Sequence, residues 1–138
     1  MLLAILLAVA ALSPSRIAPA DVSGLVADAV TAASEVDATL AEAKLVATFS
    51  ICESGGKSDV VGDSGAACSA LQLHVEWRRG HTCQELRASR VLAMAVWIAG
   101  LRDAEAKCGS TARALGLIAS GKCGAVPKLV YRRMNGRC

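Results

Sequence analysis

Every cysteine of this 138-residue chain lies after residue 51, at Cys52, Cys68, Cys83, Cys108, Cys123 and Cys138. An even number in so short a stretch points to a small domain stapled by three disulfides, which persist in oxidising compartments. The N-terminus agrees with that setting. MLLAILLAVAAL is an apolar run too short to span a bilayer; it stops at Ser13-Pro14, and Ala18-Pro19-Ala20 fits a small-x-small cleavage site. These features predict a signal peptide over 1–20 and one secreted or periplasmic domain over 21–138, with no stable membrane insertion after cleavage. A retained anchor is the alternative, because no Lys or Arg precedes the apolar run. The net charge of +3 is carried by dispersed residues. That balance gives no reason to expect a nucleic-acid partner and tolerates an anionic polymer such as a cell wall.

From Asp21 to Ile51 the chain is rich in Ala, Val, Leu, Glu and Lys and holds no proline, which favours two helices. In the second, Val36, Leu40, Ala43, Ala47 and Ile51 recur at helical spacing and share a buried face, leaving Glu42 and Lys44 towards water. Gly55 and Gly56 end it. Residues 54–69 are dense in Gly, Ser and Asp and predict tight turns with a small hairpin near Val60-Val61. A further element covers Leu71 to Trp77. A long helix spans about Ser89 to Lys107, stopped by Gly109, and a short one from Thr111 to Ala119 is capped by Ser110 and ended by Gly121. Pro127 opens a last helix through about Met134. The expected fold class is mainly α, with one Gly-rich excursion and no internal repeat or linker.

That excursion begins at CESGG, where Glu53 sits on the last turn of a helix. Breaking a glycosidic bond needs a proton given to a poor leaving group, and a carboxylic acid supplies it near neutral pH only if its pKa is raised. A helix C-terminus disfavours a carboxylate, and burial against Phe49, one turn back, would add to that. On position alone, an exposed helix-ending charge is the more ordinary reading.

The residues that follow shift the balance. ESGGKSDVVGDSGAACSALQLH, Glu53 to His74, resembles the lytic transglycosylase family of the lysozyme superfamily, whose motif runs Glu-Ser-Gly, a Gly-rich hairpin, then a Gly-Leu-Met-Gln-like segment. ALGLIASGKCG, Ala114 to Gly124, resembles the Ala-Leu-Ala-x-Tyr-Asn-x-Gly segment that completes the cleft. The resemblance implies a lysozyme-like helical domain that cuts the MurNAc-GlcNAc β-1,4 bond of peptidoglycan glycan strands. It implies Glu53 as the single catalytic acid and base, 1,6-anhydro products, no cofactor or metal, and a monomer. Ser54, Ser69, Leu71, Gln72, Trp77 and Ile118 are then the candidate substrate-binding residues, with Gly62, Asp63, Ser64 and Gly65 at the hairpin turn. Ser69 stands where the family has glycine, and Ile118-Ala119 replace its Tyr-Asn pair. A hydrolysing muramidase, or a non-catalytic peptidoglycan-binding or assembly protein with the same cleft, therefore stays open.

Asp59 or Asp63 would serve a hydrolase as the water-activating base, at roughly 6.5–9.5 Å from the acid, although Asp beside Gly is ordinary turn chemistry. Trp97 falls within the long helix and reads as core; Trp77 is the better cleft wall. His74 and His81 lack zinc-ligand spacing, and Cys52 reads as a staple rather than a nucleophile. Helix lengths put Cys83 and Cys108 about 27 Å apart and Cys108 and Cys123 about 15 Å apart, against a limit near 7 Å for a bridge. The expected pairing is Cys52–Cys68, Cys83–Cys123 and Cys108–Cys138.

Overall fold

The computed structural model describes residues 1–10, 19–124, 127–135 and 137–138; Ser13-Pro14 and Ala18 of the expected cleavage region lie outside them. The described chain is mainly α, with seven α-helices and one small antiparallel sheet. The helices are α1 (Leu2–Ala10), α2 (Pro19–Glu35), α3 (Leu40–Ser54), α4 (Cys83–Ala88), α5 (Arg90–Cys108), α6 (Thr111–Ser120) and α7 (Lys128–Met134). The two-residue strands β1 (Val61–Gly62), β2 (Ala67–Cys68) and β3 (Leu73–His74) lie between α3 and α4. No helix among the described residues is long and apolar enough to cross a membrane.

α5 forms the axis of the domain. Its Ala93 to Ile98, Gly100, Leu101 and Ala104 are buried, because α2, α3, α4 and α6 all pack on it. Trp97 is core as expected, 3% exposed with its ring 5.1 Å from that of Phe49. The apolar run read as a leader forms α1, which packs on α2 and α3 and buries Ile5 and Val9 while Leu3 and Leu7 stay exposed.

Caps set the helix ends where the sequence placed them. Ser89 and Ser110 accept from the backbone N–H of Leu92 and Arg113, and Gly109 and Gly121 close α5 and α6 at φ 83° and 74°. The break between α2 and α3 uses a device the hydrophobic pattern hides. Thr39 and Glu42 form a capping box, and Arg102 of α5 donates to both Glu42 carboxylate oxygens and to the carbonyls of Val36 and Asp37. Glu42 therefore does not simply face water: its side chain is 12% exposed, and the Arg102 hydrogen bond holds its carboxyl down at about 2.

The disulfides overturn the expected pairing. They join Cys52 to Cys138, Cys68 to Cys83 and Cys108 to Cys123, with Cα atoms 5.2, 5.9 and 5.3 Å apart. The exclusion of Cys108–Cys123 took the helix ends as the positions of the cysteines. In fact Gly109 and Gly121 both turn the chain left-handed, so residues 121–123 run back beside α6, where Arg113 Nε donates to the Cys123 carbonyl at 2.8 Å. Cys68, on the central strand, meets Cys83 at the start of α4 rather than Cys52, whose partner comes from the last residues of the chain.

Candidate functional site

α3 ends in tandem left-handed glycines. Gly55, at φ 67°, donates to Ile51 O at 2.8 Å, and Gly56, at φ 77°, donates to Ser50 O at 3.1 Å. This stop leaves Glu53 on the final turn, half-buried, at the edge of a cleft of about 300 Å³. Phe49, Trp97 and Leu115 are apolar lining of that cleft. The hairpin side supplies Asp63, Leu71, Gln72 and His74, and the C-terminal side supplies Ile118, Ala119, Pro127, Val130 and Arg133.

Four of the expected site residues thus share one cleft: Glu53, Leu71, Gln72 and Ile118. Ser54 does not line it. Its hydroxyl, with one proton to share, lies 2.7 Å from Ala70 O and 3.0 Å from Ser50 O, which straps the end of α3 to the segment carrying Leu71 and Gln72. Ser69 is wholly buried at φ 75°, and its Oγ finds no hydrogen-bond partner among the described residues. The left-handed backbone there is the conformation glycine takes without strain, the residue type that the resemblance expects at that position. Trp77 packs over Gly100 of α5 and lines a neighbouring groove of about 430 Å³, which meets the cleft at His74, Ile118 and Ala119.

Gln72 reaches the cleft with its amide already engaged. Nε2 donates to Ser69 O at 2.9 Å and Val60 O at 3.3 Å, and Oε1 lies where a side chain on Gly62 would stand. Gly62 is therefore required by close approach. The turn falls where the sequence put it, with Asp63–Gly65 forming one 3-10 turn between β1 and β2. Asp63 lines the cleft and Asp59 does not; the Asp59 carbonyl instead accepts from Arg87 of α4 at 3.1 Å.

Two features of the cleft escaped the sequence. Arg133 of α7 forms an ion pair with Glu53 through Nη1 and Oε1, and its guanidinium carbon sits 5.5 Å from the Phe49 ring centroid. Its Nε is buried without a hydrogen-bond partner among the described residues. The second is a pair between His74 Nε2 and Asp63 Oδ2, 2.9 Å apart. Nothing local predicts either contact, since the partners lie 80 and 11 residues apart. Among the described residues no group of three His, Cys, Asp or Glu side chains could hold a metal ion.

No protein-family model matches the chain. A search of curated proteins finds no match, nor does a search of solved structures.

Proposed function

We propose that this protein is a peptidoglycan lytic transglycosylase, an exported lysozyme-like enzyme in which Glu53 protonates the leaving oxygen of the MurNAc-GlcNAc bond. The observation that carries the reading is the convergence of three segments on one cleft: Glu53 at the end of α3, Leu71 and Gln72 beyond the hairpin, and Ile118 on α6. These are the segments on which the family resemblance rests, and the strap from Ser54 to Ala70 gives the first two a fixed relation. After donation the Glu53 carboxylate is the default acceptor for the proton of the sugar's C6 hydroxyl, whose oxygen closes the 1,6-anhydro ring. Three disulfides accord with an oxidising location.

A second reading, a glycan-binding protein without turnover, draws on the Glu53–Arg133 pair, which must open before the acid can act. Incubating the purified protein with peptidoglycan and recording the mass spectrum of released muropeptides separates these readings. Anhydro products support the transglycosylase, free reducing ends a hydrolase, and binding without product the second reading. Release by Glu53→Gln at the parent's rate would sink the enzymatic reading altogether.

A further inference from the structure

Polar groups that the resemblance places in the sugar cleft are not free to meet a sugar there. The amide nitrogen of Gln72 is spent on loop carbonyls, and Ile118-Ala119 present only apolar surface where the family has Tyr-Asn. What the hairpin brings to the cleft instead is an imidazole beside a carboxylate.

The sheet register places that pair. Gly62 faces Ala67, and Ala67 faces His74, so the three lie side by side across β1, β2 and β3. Asp63 follows Gly62 directly, and left-handed backbone at Asp63 and Ser64, φ 48° and 54°, starts the turn while Asp63 Oδ2 meets His74 Nε2 at 2.9 Å. Non-glycine residues hold such angles at a cost, and that cost collects at functional sites. His74 lines both the Glu53 cleft and the adjoining Trp77 groove, so it stands at their junction. The other charged groups lining these two hollows are Glu53 of α3, Arg133 of α7 and Glu76 of the turn after β3, while α6 presents Leu117, Ile118 and Ala119.

We infer that His74, oriented by Asp63, is a second catalytic residue of this cleft and takes the proton of the attacking hydroxyl. The inference rests on Glu53 being the acid. With Nε2–H donated to Asp63, Nδ1 is left as the basic nitrogen of the neutral ring. Glu53 gives its proton to the leaving O4 as the C1–O4 bond breaks. The C6 oxygen bonds to C1, and its proton passes to Nδ1, giving an imidazolium that faces the Asp63 carboxylate. Arg133 pairs the Glu53 carboxylate thus formed. Transfer of one proton from His74 back to Glu53 through solvent resets the site, so no co-reactant is consumed.

The test compares the parent, Glu53→Gln, His74→Ala, His74→Gln and Asp63→Asn for release of anhydro-muropeptides, with melting temperatures alongside. His74→Ala is expected to lose about 100-fold in kcat with KM held within about threefold, the mark of a group that acts in the transition state. Added imidazole restores part of that rate, a rescue that a merely structural histidine would not show. Asp63→Asn loses less. If His74→Ala does not fold, His74→Gln carries the comparison of kcat with KM. A histidine variant as fast as the parent, alongside an inactive Glu53→Gln, overturns this inference and leaves the acid in place; a kcat loss matched by a lower melting temperature and no imidazole rescue also overturns it. A parent that releases no product overturns both readings.

Discussion

Ser69→Gly should make this protein more stable, although it removes a fully buried side chain. Ser69 sits at φ 75° with a buried hydroxyl that has no hydrogen-bond partner among the described residues, while its backbone N–H donates to Val60 O at 2.9 Å and its carbonyl accepts from Gln72. Those backbone bonds fix the conformation, so the side chain must tolerate it. A residue with a Cβ pays about 1 kcal/mol in the left-handed region, and an orphaned buried hydroxyl costs about 1–3 kcal/mol. Against this, glycine adds roughly 0.5–1 kcal/mol of chain entropy to lose on folding, and the vacated hydroxymethyl volume returns a little more. The net gain is about 1–2 kcal/mol. At about 2.1 cal/mol/K per residue for unfolding, this 138-residue chain should gain about 3–7 °C in Tm. Calorimetry with the disulfides intact measures it, and Ser69→Ala divides the two causes, since alanine removes the hydroxyl but keeps the strained Cβ. A glycine variant no more stable than the alanine variant would show that the backbone at 69 is not strained. A glycine variant less stable than the parent would refute the reasoning outright.

The pH dependence of stability should carry a component from Glu42. Its carboxyl is held at about 2 in the fold against an ordinary 4.5, chiefly by the Arg102 hydrogen bond, so its contribution is complete above pH 4.5 and lost as pH falls towards 2. Glu42→Gln should therefore cost about 1–2 kcal/mol at neutral pH, after discounting for solvent at the 38%-exposed Arg102 side chain, and converge with the parent near pH 2 in acid-titrated unfolding. Glu53→Gln should lower stability by about 1–2 kcal/mol, because Arg133, 11% exposed, loses its charged partner; an unchanged or higher Tm would argue that the pair contributes nothing. Gly62→Ala should cost about 1–3 kcal/mol by driving a methyl against the Gln72 amide, and Gln72→Ala in the same chain should recover part of that loss in denaturant titration.

Local rules made the helices legible. Ser89, Ser110, Gly55, Gly109 and Gly121 cap α3, α5 and α6 at the residues the sequence singled out, because a cap acts within one turn of the residue that forms it. The short α4 was missed, since six residues carry too little periodicity, although Thr82 and Glu85 spell out its capping box. Glu42 was placed in water for a related reason: helical periodicity assigns a face, whereas Arg102, 60 residues away, decides what that face meets. The left-handed positions at Asp63, Ser64, Ser69 and Gln72 had no signal in composition, because none is glycine. Of these, Ser69 alone could be read, by setting it against the glycine of the motif that this stretch resembles. Four of the seven proposed site residues share the Glu53 cleft, but their polar partners do not follow from the motif: the Gln72 amide is spent inside the hairpin, and the charges beside the acid come from α7 and from Asp63 with His74.

The bridge from Cys52 to Cys138 explains why so much of the acid's surroundings comes from the end of the chain. It closes a loop of 86 residues, and in the chain-entropy model a loop of that length contributes about 4–5 kcal/mol. Its N-terminal anchor is the residue immediately before Glu53. On the same stretch of α3, Phe49 receives the Arg133 guanidinium and Glu53 pairs with it, so ring, bridge and ion pair bind α7 to little more than one helical turn. A seven-residue helix is too short to persist on propensity, so α7 depends on these ties. Together they set Val130 and Arg133 in the lining of the Glu53 cleft and enclose one side of it. The positioning of Glu53 is thus a long-range property, set by the last disulfide as much as by the glycines that end its own helix.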